Sequence, residues 1–257
     1  RPLPGPGIRM NIDQSIVTIL GTYAIHSTLA IAAAWLVTGP LKLLREPKAV
    51  RGTWKLALFL PLFSGSFQLL AGYVPPACYA FAAAPTSGPA PEALLRGPVV
   101  ESTGPSFVAP AWTVIVSVLW ALGVGLGMFK LVKGELALRR MLRGREEVLD
   151  DHAVDALIAL RQRADIKRRI RLSVSEGLST PVAVGRSEIV LSRHALEKLP
   201  PQQLAGVIGH ELAHLEAHDP WWARAIAFVE ALFFFQPLAY WAKRKHRDAA
   251  ELAADDW

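Results

Sequence analysis

With one cysteine, Cys78, the chain cannot form an intrachain disulfide, and we expect that thiol to be inert. Charge is also scarce: Asp, Glu, Lys and Arg make up 19% of the residues against 52% hydrophobic. At a mean hydropathy of +0.28 the balance is too apolar for one ordinary soluble domain. The shortage of charge is concentrated in three runs. Residues 16–37, 56–74 and 107–129 carry no formal charge over 22, 19 and 23 residues, and each is long enough as a helix to span about 30 Å of hydrocarbon. The first run is too long for the core of a signal peptide and lacks a small-residue cleavage site after it. No nucleic-acid fold signature accompanies the basic runs Lys167-Arg168-Arg169 and Lys243-Arg244-Lys245. Cations beside a membrane explain the net charge of +6 better. We therefore expect three transmembrane helices, membrane lipid as a partner and no nucleic acid.

The positive residues set the expected orientation. Lys42, Arg45, Lys48, Arg51 and Lys55 follow the first run against Glu46 alone, and Lys130, Lys133, Arg139, Arg140, Arg143 and Arg145 follow the third. Residues 75–106 hold a single Arg against Glu92 and Glu101 and are rich in Pro, Ala, Gly and Ser. Because Lys and Arg are retained on the cytoplasmic side, the N-terminus and the loop 75–106 are expected outside, and residues 133–257 form a cytoplasmic domain. The composition fits a multi-pass protein of the bacterial inner membrane. Residues 1–9 precede Met10 and are expected to be an added or processed remnant; Trp257 falls inside a helix, so the natural chain is expected to continue.

Within the cytoplasmic part, the helix of the third run is expected to continue to about residue 147, and Asp150-Asp151 caps a further helix to about residue 164. Residues 170–175, 180–184 and 187–191 are short, rich in Val and Ile, and separated by Gly177 and Gly185. They predict a small antiparallel sheet. The strand over 180–184, with Val182 and Ala183, either binds an extended substrate by strand addition or merely supports the helix that follows.

That helix carries the chemistry. Pro200-Pro201 opens it, and apolar residues recur at Leu204, Val207, Ile208, Leu212 and Leu215. His210-Glu211-Leu212-Ala213-His214 lies inside it, so two imidazoles stack one turn apart where they can grip a zinc ion, with Glu211 turned toward a metal-bound water. A third ligand is available in Glu251, and Asp255 one turn on can accept the N–H of a ligating His. Residues 220–241 have the hydropathy of a fourth span, yet one crossing would separate His214 from Glu251 by roughly 30 Å. Pro237 can end one helix and begin the next. A helix hairpin, buried or dipped into the membrane, is therefore expected, with Glu230 facing protein or water.

The segments Leu199-Pro200-Pro201-Gln202-Gln203-Leu204, His210-Glu211-Leu212-Ala213-His214, Asp219-Pro220 and Glu251-Leu252-Ala253-Ala254-Asp255-Asp256-Trp257, with His26-Ser27 in the first run, together resemble the Bla/Mec-type membrane metallopeptidases. These are the beta-lactam signal transducers and antirepressor proteases of bacteria, and the resemblance covers nearly all of residues 10–257. It implies a mostly α membrane protein with a cytoplasmic α+β, gluzincin-type zinc peptidase domain. The metal ligands would be His210, His214 and Glu251, Glu211 the general base and acid, and Asp255 the residue that orients a ligand His. His246 and Arg247, one turn from Glu251, are candidates for an oxyanion contact. The family gives His218 no ligand role, so a solvated side chain is expected there. The implied substrate is a protein or peptide, a transcriptional repressor among the candidates. Quality-control proteases of the HtpX kind share both motifs, and a non-proteolytic transducer with a structural zinc is a third reading, although such a zinc has no need of Glu211.

Overall fold

The computed structural model describes residues 12–41, 43–70 and 111–257. Expectations for residues 1–9, for the loop 75–106 with Cys78, and for 71–74 and 107–110 at the ends of two apolar runs lie outside the described residues. Among the described residues three long helices come first: α1 (Ile12–Thr38), α2 (Pro47–Leu70) and α3 (Ala111–Met141). Two of them are long and apolar enough to cross a membrane, over Ile16–Thr38 and Ala111–Met141. α2 differs because Pro47, well suited to a first helical position, starts it ahead of the apolar run, so Lys48, Arg51 and Lys55 ride on the helix itself. His26 Nδ1 lies 2.6 Å from Ser64 Oγ and ties α1 to α2.

α3 stops at Met141 rather than continuing to residue 147. Gly144 adopts a left-handed conformation, φ 71°, which glycine enters without a Cβ clash, and the chain reverses there into β1 (Glu146–Glu147). α4 (Asp151–Arg163) follows, with the Asp150 carboxylate accepting from the Ala153 N–H at 2.8 Å, a standard N-cap. Then come β2 (Arg171–Ser175), β3 (Val182–Val184) and β4 (Glu188–Ser192), in the sheet order β1-β2-β4-β3.

The sheet is mixed, which corrects the antiparallel expectation. β1 with β2 and β3 with β4 are antiparallel, but β2 runs parallel to β4, Leu172 opposite Ile189 and Val174 opposite Leu191. The tight reversal at Gly185, φ 63°, folds β3 back along one edge of β4, so the other edge is free for β2. Alternation of apolar residues is the same in either direction and does not encode the choice. The buried face of β2 and β4 packs on α4 and α6 through Leu157, Ile208, Leu212 and Leu215.

The last elements are α5 (Arg193–Lys198), α6 (Pro201–Glu216), α7 (Asp219–Leu232) and α8 (Pro237–Asp255). The chain turns back over residues 233–236, and Pro237 sits at the first position of α8. Polar groups pin the tip of this hairpin between the long helices. Gln236 Nε2 donates to Ser27 Oγ at 2.8 Å and approaches the Ala24 carbonyl at 3.1 Å, while Trp120 Nε1 donates to the Leu232 carbonyl at 2.8 Å. Tyr23 stacks on Phe233, and Glu230 pairs with Lys243 across the hairpin. Ile31, Trp54, Leu58, Ile226 and Ala242 form one core shared by α1, α2, α7 and α8.

α3 receives the hairpin in a notch of small residues. A Cβ on Gly127 would meet Ala231 Cβ at 2.9 Å and its Cα at 3.1 Å, and backbone cannot swing aside as a long side chain can. Such small-xxx-small surfaces let helices approach closely in membranes. Gly127→Leu should therefore destabilise the protein by about 1–3 kcal/mol, seen as a lower thermal midpoint in detergent micelles. An unchanged midpoint would show that α3 and α7 do not pack this way.

Candidate metal centre

α6 buries Leu204, Ile208, Leu212 and Leu215, and this leaves His210 and His214 on the side that meets α8. Their rings lie edge to face with centroids 4.8 Å apart, and the two Nε2 atoms are 3.1 Å from each other. Each Nδ1 faces a carboxylate: His210 Nδ1 is 3.0 Å from Asp255 Oδ1, and His214 Nδ1 is 2.9 Å from Asp219 Oδ2. A carboxylate can only accept, so the ring proton of each neutral imidazole belongs on Nδ1. Both Nε2 lone pairs then face one another, an arrangement that repels unless a cation lies between them. Glu251 Oε2 stands 3.5 Å from His210 Nε2 and 3.8 Å from His214 Nε2, and all three ligand atoms fall within 4.8 Å. Two imidazole nitrogens and one carboxylate oxygen match the protein donor set of catalytic zinc.

Glu211 is half-buried, like His210 and His214. Burial pushes its carboxyl above the ordinary range, opposed by His214, His210 and a hydrogen bond from the Ala183 backbone N–H. Ala183 belongs to β3, an edge strand of the sheet, so a strand edge forms one face of the site. Val182 and Ala183 also line an open cleft of about 890 Å³ walled by α3 and α7. The remaining two candidates sit elsewhere on α8. His246 is buried, and Lys55, Asp219 and Arg51 are its charged neighbours, whereas Arg247 is exposed. Among the described residues no hydrogen bond or ion pair joins either to His210, Glu211 or His214.

Asp219 is the site residue that motif reading passed over as one half of an Asp-Pro pair. α6 ends at Glu216, and His218 takes a left-handed conformation, φ 58°. His218 is thus a half-buried turn residue rather than the solvated side chain expected there. The kink brings Asp219, first in α7, under His214. Burial alone would raise the Asp219 carboxyl, but the His214 N–H, Arg51 and Lys55 together hold it below its ordinary value. Reciprocally, the Asp219 hydrogen bond raises the His214 imidazole against the effect of burial.

A family model described as BlaR1 peptidase M56 matches residues 18–257, which include every residue of this centre. The chain belongs to that peptidase family. Its members are metallopeptidases, and the fit of the His210, His214 and Glu251 donor set to a metal accords with membership. Methicillin resistance mecR1 proteins of Staphylococcus aureus and Staphylococcus epidermidis are 24% identical over 147 residues, 56% of this chain and 25% of theirs. The chain thus spans about a quarter of the length of these curated relatives over the matched region.

Proposed function

We propose that this M56 chain is an integral-membrane zinc endopeptidase that hydrolyses peptide bonds at the cytoplasmic membrane face, in signal transduction or regulated proteolysis. The observation that carries the reading is the pair of facing Nε2 atoms, each ring held from behind by a carboxylate, with Glu251 and Glu211 beside them. His210, His214 and Glu251 would hold the zinc, which when bound acidifies a water and polarises a carbonyl. Glu211 takes the proton of the attacking water and returns it to the leaving amine. Asp255 and Asp219 keep the two rings oriented.

The substrate segment binds extended along the outer edge of β3 beside Ala183, its side chains in the cleft that Val182 and Ala183 line between α3 and α7. A protein or peptide fits there, a transcriptional repressor among the candidates. The broad apolar surface of α3, with Ile115, Leu119, Leu122, Leu126 and Phe129 all exposed, supports a lipid setting. We assign α2 as the third span, from its continuation into the apolar run 56–74, and place the N-terminus outside by the distribution of Lys and Arg.

Purified protein should bind about one zinc per chain and cleave peptide, lose activity to a chelator and regain it on adding zinc. Cleavage indifferent to chelation would exclude the mechanism.

A further inference from the structure

Asp219 holds more than a histidine. Arg51 Nη1 lies 3.2 Å from Asp219 Oδ2 and 3.5 Å from Oδ1, and Lys55 Nζ lies 3.9 Å from Oδ1. The two cations stand one turn apart on α2 and converge on one carboxylate. Side-chain exposures of 14%, 15% and 12% for Arg51, Lys55 and Asp219 take the group out of the class of screened surface pairs. Lys55 is wedged further, its ammonium 4.6 Å from the Trp222 ring centroid at the start of α7. α2 is itself fixed to α1 and α8 through Trp54, Ala57 and Leu58.

We propose that Arg51, assisted by Lys55, is a positioning residue for the metal centre. By clamping Asp219 it holds the His214 ring with Nε2 toward the metal, and so makes metal affinity depend on where α2 sits. A chain of contacts then runs from α2 through Arg51 and Asp219 to His214, and a rotation or slide of α2 that withdraws Arg51 weakens the site without touching a ligand. This inference rests on the metal-centre reading above. The plain alternative is a staple that fastens α2 to α7 with no effect on the metal.

Zinc affinity of the full chain in detergent micelles, measured by competition with a chelator, separates the two. Arg51→Met should weaken zinc by about tenfold, the low end for groups that orient a ligand. Arg51→Lys should recover most of the loss, and Lys48→Met, an exposed change on the same helix, should have no effect. Asp219→Asn should weaken zinc by about 10–100-fold. The deciding result is the double variant: if Arg51 acts through Asp219, adding Arg51→Met to Asp219→Asn costs little more. The gain in thermal midpoint on adding zinc should shrink in Arg51→Met, whereas a staple lowers the zinc-free and zinc-loaded midpoints alike. Wild-type affinity in Arg51→Met, or full additivity in the double variant, would overturn the clamp while leaving the centre intact. Failure of the unmodified chain to bind zinc would overturn the metal-centre reading itself.

Discussion

Glu211→Gln is expected to slow peptide cleavage by about 10²–10⁴-fold, the usual contribution of a positioned acid–base group, while the protein still carries its zinc. The substitution preserves shape and an oxygen that can accept from the Ala183 N–H. It removes only the capacity to take up and release a proton. Glu211 stands outside the His210, His214 and Glu251 ligand group, so metal content should not change. A lost zinc would instead mean that Glu211 is a ligand or a structural support. The measurement is a single-turnover cleavage rate beside a metal analysis of the same sample. Equal rates for the variant and the unmodified chain would remove Glu211 from the mechanism.

How far the centre could be read from sequence depends on whether each contact is local. His210 and His214 are neighbours because any helix puts residues four apart on one face, and Glu251 with Asp255 follows the same rule. Their meeting is non-local, yet it was accessible because a single metal requires it and Pro237 marks where the chain can turn. Asp219 was not accessible, since its place under His214 depends on a left-handed His218, a backbone state that residue type only weakly suggests. Arg51 was farther out of reach. It appears in sequence as one of five cations after an apolar run, and only the start of α2 at Pro47 aims it at Asp219. The same limit explains the sheet: alternation marked the strands, but parallel pairing of β2 with β4 follows from the turn at Gly185. Local period and spacing encode which side chains share a face, whereas direction and approach are set by single backbone conformations.

Glu251→Ala should weaken zinc binding by more than about 100-fold, beyond the 10–100-fold typical of residues that only orient a ligand, and should abolish cleavage in proportion. Asp255→Ala is expected to fall within that smaller range, and the exposed Asp248→Ala, one turn before Glu251, should leave affinity unchanged. The ranking tests the assignment, because Glu251 and Asp255 are both exposed carboxylates on one face of α8, 54% and 66% by side chain. Geometry separates them: Glu251 Oε2 faces the Nε2 atoms of both rings, and Asp255 Oδ1 faces the Nδ1 of one. If Asp255 were the ligand, the metal would have to sit on the Nδ1 side of His210, away from His214 Nε2, and the order of losses would reverse. The hairpin is tested at the same time. α7 and α8 carry Glu251 back to α6 only because the chain turns at residues 233–236, where Gln236 is anchored on Ser27 of α1. Gln236→Leu keeps all three ligands but removes that anchor, so it should weaken zinc less than Glu251→Ala and more than Asp248→Ala. Affinity equal to that of the unmodified chain would mean that α6 and α8 hold the ligands together without help from the membrane helices.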